Sequence, residues 1–155
     1  RTGGAALQKN LEALGDIQYT QEEIDFALEM QRNNGKPEIG IDGKIKSLRE
    51  TLKSPGGGST DVGDVSYNVP VVSLNATTAP KGVPWHSWSV VASSGMSIGH
   101  KGMLYAAKAL GMTMVDIFKD SRLRDDIKKE FDERIGEYEY DPFLDPGPPP
   151  INYVD

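Results

Sequence analysis

The chain has 155 residues, 37% of them hydrophobic and 26% charged, with a formal net charge of −6 and no cysteine. That length supports one core and one domain, and the acidic balance excludes a general nucleic-acid binder, which needs a basic face. No apolar run approaches the roughly 20 residues that span a bilayer, and the missing cysteines exclude a disulfide framework and any Cys-ligated metal. The start, Arg1-Thr2-Gly3-Gly4, has neither a signal-peptide n-region nor an initiator methionine. It reads as the interior or trimmed edge of a larger protein, with the cytoplasm as default compartment.

Ala5, Leu7, Leu11 and Leu14 fall near helical spacing, and Gly15 is placed to cap that helix. Thr20 with Glu23 makes a capping box for a second helix. On it Ile24, Ala27, Leu28 and Gln31 share a face, and Asn33-Asn34-Gly35 stops it. A loop over 36–44 leads to a short amphipathic helix carrying Ile45, Leu48 and Leu52, which ends at Ser54-Pro55. A loop with Gly56, Gly57 and Gly58 follows. The β-branched and aromatic residues of 62–74, interrupted by Pro70, predict strand segments, and 87–92 predicts another. From Ile98 the period becomes helical. Met103, Leu104, Ala107, Leu110, Met114, Val115 and Phe118 are expected to form its buried stripe, with Gly111 a weak point. Ser121 can cap a last helix with Leu123, Ile127 and Phe131 on one side. Residues 1–136 are thus expected to form the domain, and the acidic, Pro-rich segment 137–155 an extended tail. Helices, then two or three strands, then helices predict an α/β class, part of a mixed sheet sandwiched by helices. So few strands need others from elsewhere to complete the sheet.

The polar loop is the first candidate for chemistry. Its glycines let backbone N–H groups approach a ligand, and Ser59, Thr60, Asp61 and Asp64 follow at once. It is not a P-loop, because no Lys stands between the glycines and Ser59-Thr60, nor a dinucleotide fingerprint, because a strand is expected where a helix is required. A flexible surface linker is the plain alternative. His86 lies between Trp85 and Trp88 after a loop fixed by Pro80, Gly82 and Pro84. A packed, hydrogen-bonded histidine is its plain reading, and a neutral imidazole suited to Zn²⁺ its functional one. His100 falls in the first turn of the long helix, at the positive end of its dipole. Gly99 and Gly102 are expected to leave space on both sides of it for an oxyanion or carboxylate. The alternating charges of 121–135 make a solvated face and carry no chemistry.

Three motifs then occur in order: Gly58-Ser59-Thr60-Asp61-Val62-Gly63-Asp64-Val65-Ser66, Pro84-Trp85-His86-Ser87-Trp88, and Ser97-Ile98-Gly99-His100-Lys101-Gly102-Met103 with Ala106-Ala107-Lys108. Together with Asn10-Leu11-Glu12-Ala13-Leu14-Gly15 and Tyr19-Thr20-Gln21-Glu22-Glu23, they resemble the C-terminal part of aminoacylase and carboxypeptidase G-like metallopeptidases. Within that amidohydrolase family the branch resembled is that of the p-aminobenzoyl-glutamate hydrolases, over roughly residues 5–135. The resemblance implies a mixed sheet between helices and an inserted lid domain through which a homodimer forms. It implies two divalent metal ions, zinc or manganese, held mostly by an N-terminal remainder that also carries the general base. His86 matches the late metal ligand by position, with His100 the alternative. Gly58, Ser59, Thr60 and Asp61 match the loop lining the substrate site, with His100 as a further contact. The acidic residue that many relatives carry shortly after the late His has no counterpart. The implied activity is hydrolysis of an amide in a small N-acyl or aminobenzoyl amino acid or dipeptide, inactive in this chain alone, with no nucleic-acid or membrane partner. A non-catalytic binding or assembly module using the Gly-rich loop as a clamp is the alternative from another class, and a fragment whose loop is only a linker is a third.

Overall fold

A computed structural model describes residues 1–48, 60–142 and 147–148. Among them lie six helices and no strand: α1 (Thr2–Leu14), α2 (Gln21–Asn33), α3 (Val62–Asn68), α4 (Trp88–Ser94), α5 (Ser97–Lys119) and α6 (Ser121–Ile135). No helix among them is long and apolar enough to cross a membrane. The residues that stop α1 and start α2 act as their chemistry requires. Gly15, at φ 75°, donates its N–H to the Leu11 carbonyl and ends α1. Thr20 and Glu23 exchange both bonds of the capping box at the head of α2. The cap of α6 is Asp120, whose carboxylate accepts from the Arg122 and Leu123 N–H groups, so Ser121 is the first helical residue and not the cap.

The expected α/β class with a mixed sheet is wrong for the described residues. Residues 62–68 form α3 and 88–94 form α4, while 69–74 run without regular structure. A strand satisfies its N–H and C=O groups only beside another strand, whereas a helix closes them on itself. Where no neighbouring strand is present, the helix is the form that satisfies these groups locally, and the polar side chains fold back on it. Ser66 Oγ donates to the Gly63 carbonyl (2.6 Å) and Asn68 Nδ2 to the Asp64 carbonyl (2.9 Å) along α3. In α4, Ser93 Oγ donates to the Ser89 carbonyl (2.7 Å). Residues 45–48 have no regular structure, and the rest of the short helix expected there lies outside the described residues.

Helices α1, α5 and α6 pack on one another, and α4 packs on α5. The α1–α5 contact is partly polar. Buried Asn10 donates to Thr113 Oγ1 (3.1 Å) and Asp116 Oδ2 (2.8 Å), and the Tyr105 hydroxyl to the Leu11 carbonyl (3.2 Å). The side of α5 turned to this packing carries Ile98, Gly99, Gly102, Ala109 and Thr113. The expected buried stripe is therefore wrong: Met103, Leu104, Leu110, Met114, Val115 and Phe118 are all exposed. Small residues let the neighbouring backbones come close, and the bulky ones turn away from them. Past α6, Tyr138 and Tyr140 reach back to α3, with ring centroids 5.1 and 6.0 Å from that of Tyr67.

Candidate functional site

The His86 loop is built by residues at the end of α2. Gln31 is fully buried and uses both ends of its amide. Its Oε1 accepts from the N–H groups of Ile39 (2.9 Å) and Gly40 (2.8 Å). Its Nε2 donates to the carbonyls of Gly40 and Lys81, both at 2.8 Å. One helical turn on, Asn34 Nδ2 donates to the Met30 carbonyl and to Ser89 Oγ, both at 2.7 Å. Lys81 precedes His86 and Ser89 follows it, so α2 grips the loop on both flanks. Pro80 and Val83 are buried beneath it, and Ser87 Oγ closes it by donating to the Pro84 carbonyl (2.5 Å). At its tip His86 is exposed and takes φ 60°, the sole positive φ of a residue other than glycine among the described residues. A residue with a Cβ resists that conformation, and it persists only where the surroundings over-determine it.

The first turn of α5 is held by a second polar cluster. Lys101 Nζ donates to Glu23 Oε2 (2.6 Å) and the Gln18 carbonyl (2.9 Å), and lies 5.6 Å from the centre of the Tyr19 ring. Burial on its own would raise the Glu23 carboxyl. Hydrogen bonds from Lys101, Ser97 and the Thr20 N–H, with the Lys101 charge, outweigh it and hold the group at about 2. Tyr19 is pushed up to about 12, first by burial and then by the Glu23 charge. Its buried hydroxyl lacks a well-formed hydrogen bond among the described residues, and Thr77 Oγ1 near it donates to the Asp42 carbonyl (2.6 Å).

The glycines flanking His100 do not leave room for a ligand. A Cβ on Gly99 would stand 2.2 Å from the Ser94 carbonyl oxygen, and one on Gly102 2.2 Å from that of Thr77. They admit two crossing backbones, which corrects the expectation of open space. His100 itself is exposed on the opposite side of the helix.

Of the substrate-loop residues, Thr60 and Asp61 are exposed; Thr60 Oγ1 accepts from the Val62 N–H (3.3 Å), and Asp61 heads α3 without a side-chain cap. Asp64 accepts from the Tyr140 hydroxyl (2.9 Å). Gly58 and Ser59 lie outside the described residues. Two cavities lie elsewhere. One, of about 420 Å³, runs between α1, α6 and residues 70–73, and the other, of about 1280 Å³, between α1 and the α5–α6 turn. Among the described residues no group of three or more His, Cys, Asp or Glu side chains converges as a metal site needs. His86 can offer one imidazole to an ion and the described chain does not complete the set. Sequence reasoning placed His86 correctly in a loop but missed Gln31 and Asn34 as its supports. A glutamine in line with Ala27 on the inner face of α2 was the available signal.

No family model and no solved structure matches the chain. It is similar to one of the subunits of p-aminobenzoyl-glutamate hydrolase from Escherichia coli (strain K12), with 34% identity over 154 aligned residues that cover 84% of this chain. The match covers 32% of that relative, so the chain spans about a third of its length.

Proposed function

We propose that the chain, by its similarity a member of the p-aminobenzoyl-glutamate hydrolase branch of the amidohydrolase family, supplies one part of the active site of an amide hydrolase. The substrate class is an aminobenzoyl-glutamate or a related small N-acyl amino acid or dipeptide. In this reading His86 is one ligand of a divalent metal pair, zinc or manganese, whose other ligands and general base come from polypeptide beyond the described residues. Such ions supply carbonyl polarisation and an activated water when bound. The residues of this chain do the holding and orienting. His86 presents its imidazole from a loop whose two flanks are fixed. Thr60 with Ser59 and Gly58 offers hydroxyl and backbone donors to a substrate carboxylate, Asp61 lines the same loop, and His100 contacts the substrate from the head of α5.

The observation that carries the reading is the backbone of His86. A strained, exposed histidine clamped from both sides is costly as mere surface and apt for fixing an imidazole. The test is His86→Ala in the intact protein, read by metal content and by hydrolysis of p-aminobenzoyl-glutamate. Loss of bound metal and of activity, with an unchanged circular dichroism spectrum, is the expected result. Full metal occupancy with retained activity would overturn the assignment. An intact wild-type protein that binds no divalent ion would favour the non-catalytic binding module.

A further inference from the structure

Helix α5 is polarised the wrong way round for a chain that buries its own core. Its packed side shows Ile98 and otherwise only glycine, alanine and threonine, while Met103, Leu104, Leu110, Met114, Val115 and Phe118 face outward. At 3.6 residues per turn these six share one broad face with Ala107 and Gly111, which are also exposed. Phe118 is 75% exposed and Met103 58%. Helix α4 repeats the inversion, burying Ser89 and Ser93 while Trp88 and Val91 are exposed at 58% and 74%. His100 sits at the N-terminal end of the α5 face, eighteen residues, or five full turns, before Phe118.

We infer that the outward face of α5 is the surface on which the remaining two-thirds of a relative-length hydrolase docks. This rests on the reading of the chain as one part of that enzyme. The relative is about three times as long as the stretch this chain matches, which in a protein of that length leaves ample further polypeptide to cover this face. The α5 face carries no charged side chain between Met103 and Phe118 other than Lys108 at its margin. An apolar layer is the chemistry that matches it, and an aqueous surface is not. Docking there brings His100 to the junction of the two parts, where a substrate contact would have to lie. A second copy of this chain would cover the same face but leave the other two-thirds without a seat.

The chain has no cysteine, so single Cys probes in it are unambiguous when labelled peptides are read by mass. In the intact protein, Ala107→Cys and Met114→Cys are expected to react with a maleimide at least roughly tenfold more slowly than Glu12→Cys on the solvent side of α1. Ala107→Cys is a small enough change to keep the helix in place if the Met114 variant misfolds. Equal rates at the three positions would overturn the inference. So would protection that disappears on dilution, which would assign the face to a second copy. Neither result depends on metal binding, so a failure here leaves the His86 assignment to its own test.

Discussion

At the scale of single residues, Gln31 is the side chain on which most depends. Four backbone groups of two loops meet its amide in a buried position. Gln31→Leu keeps the volume but leaves these donors and acceptors without partners, at about 1–3 kcal/mol for a buried unsatisfied group. We expect its urea midpoint to fall by at least that equivalent. Gln21→Ala, whose amide bonds Asp25 in solvent, should stay within about 0.5 kcal/mol of wild type. The sequence showed Gln31 on the inner face of α2 but not what it holds, because its partners are backbone groups of loops, one nearby at Ile39 and Gly40 and one distant at Lys81. His86 was legible as a loop histidine between tryptophans. Its positive φ was not: histidine is among the residue types that take it more often than most, but residue type alone does not say where.

At the scale of elements, local signals and tertiary ones separate cleanly. The capping box at Thr20, the glycine after Leu14 and the period of α5 act within one turn of chain, and each helix they announce is present. The strands expected in 62–74 and 87–92 were inferred from β-branched content, which favours a strand only beside another strand. No such neighbour exists among the described residues, and helices α3 and α4 stand there instead. The inner face of α5 was misread for a related reason: periodicity says which residues share a side, not which side meets a neighbour. Its glycines supply a sharp test. Gly102→Ala places a Cβ 2.2 Å from the Thr77 carbonyl oxygen, a clash with backbone that cannot rotate away, and should destabilise the fold by about 1–3 kcal/mol. Gly63→Ala in α3 meets nothing within 4 Å and should be neutral or stabilising by up to about 1 kcal/mol. Thermal or urea unfolding of the pair checks the contrast, and an equal effect of both would refute the close crossing.

At the scale of the whole molecule, the buried apolar side chains among the described residues are Leu7, Ala27, Met30, Val83, Ile98 and Ala109, two of them alanines. The large side chains on the outer face of α5 are 40–75% exposed, so covering each would add at most about 1.5–3 kcal/mol, a reserve of stabilisation that face has not yet realised. Helix α2 makes up for the thin core with polar ties. It reaches α5 through Glu23 and Lys101, α4 through Asn34 and Ser89, and the loops through Gln31.

The Glu23 tie makes the attachment of α2 dependent on pH. Its carboxyl is lowered from an ordinary 4.5 to about 2 in the folded chain, so the ionised form binds preferentially to the native state. The stabilisation is fully present above about pH 4.5. It declines as pH falls through the interval to about 2, where the native carboxylate takes up its proton and releases Lys101. Above that window Glu23→Gln should be less stable than wild type by urea unfolding, because Lys101 loses its counter-charge. The difference should shrink steadily between pH 4.5 and 2 and vanish near the lower limit. Hydrogen exchange should show α2 amides opening before those of α1 and α5, which are packed on each other directly. A constant difference between wild type and Glu23→Gln across that range would show that the carboxylate charge plays no part in seating α2.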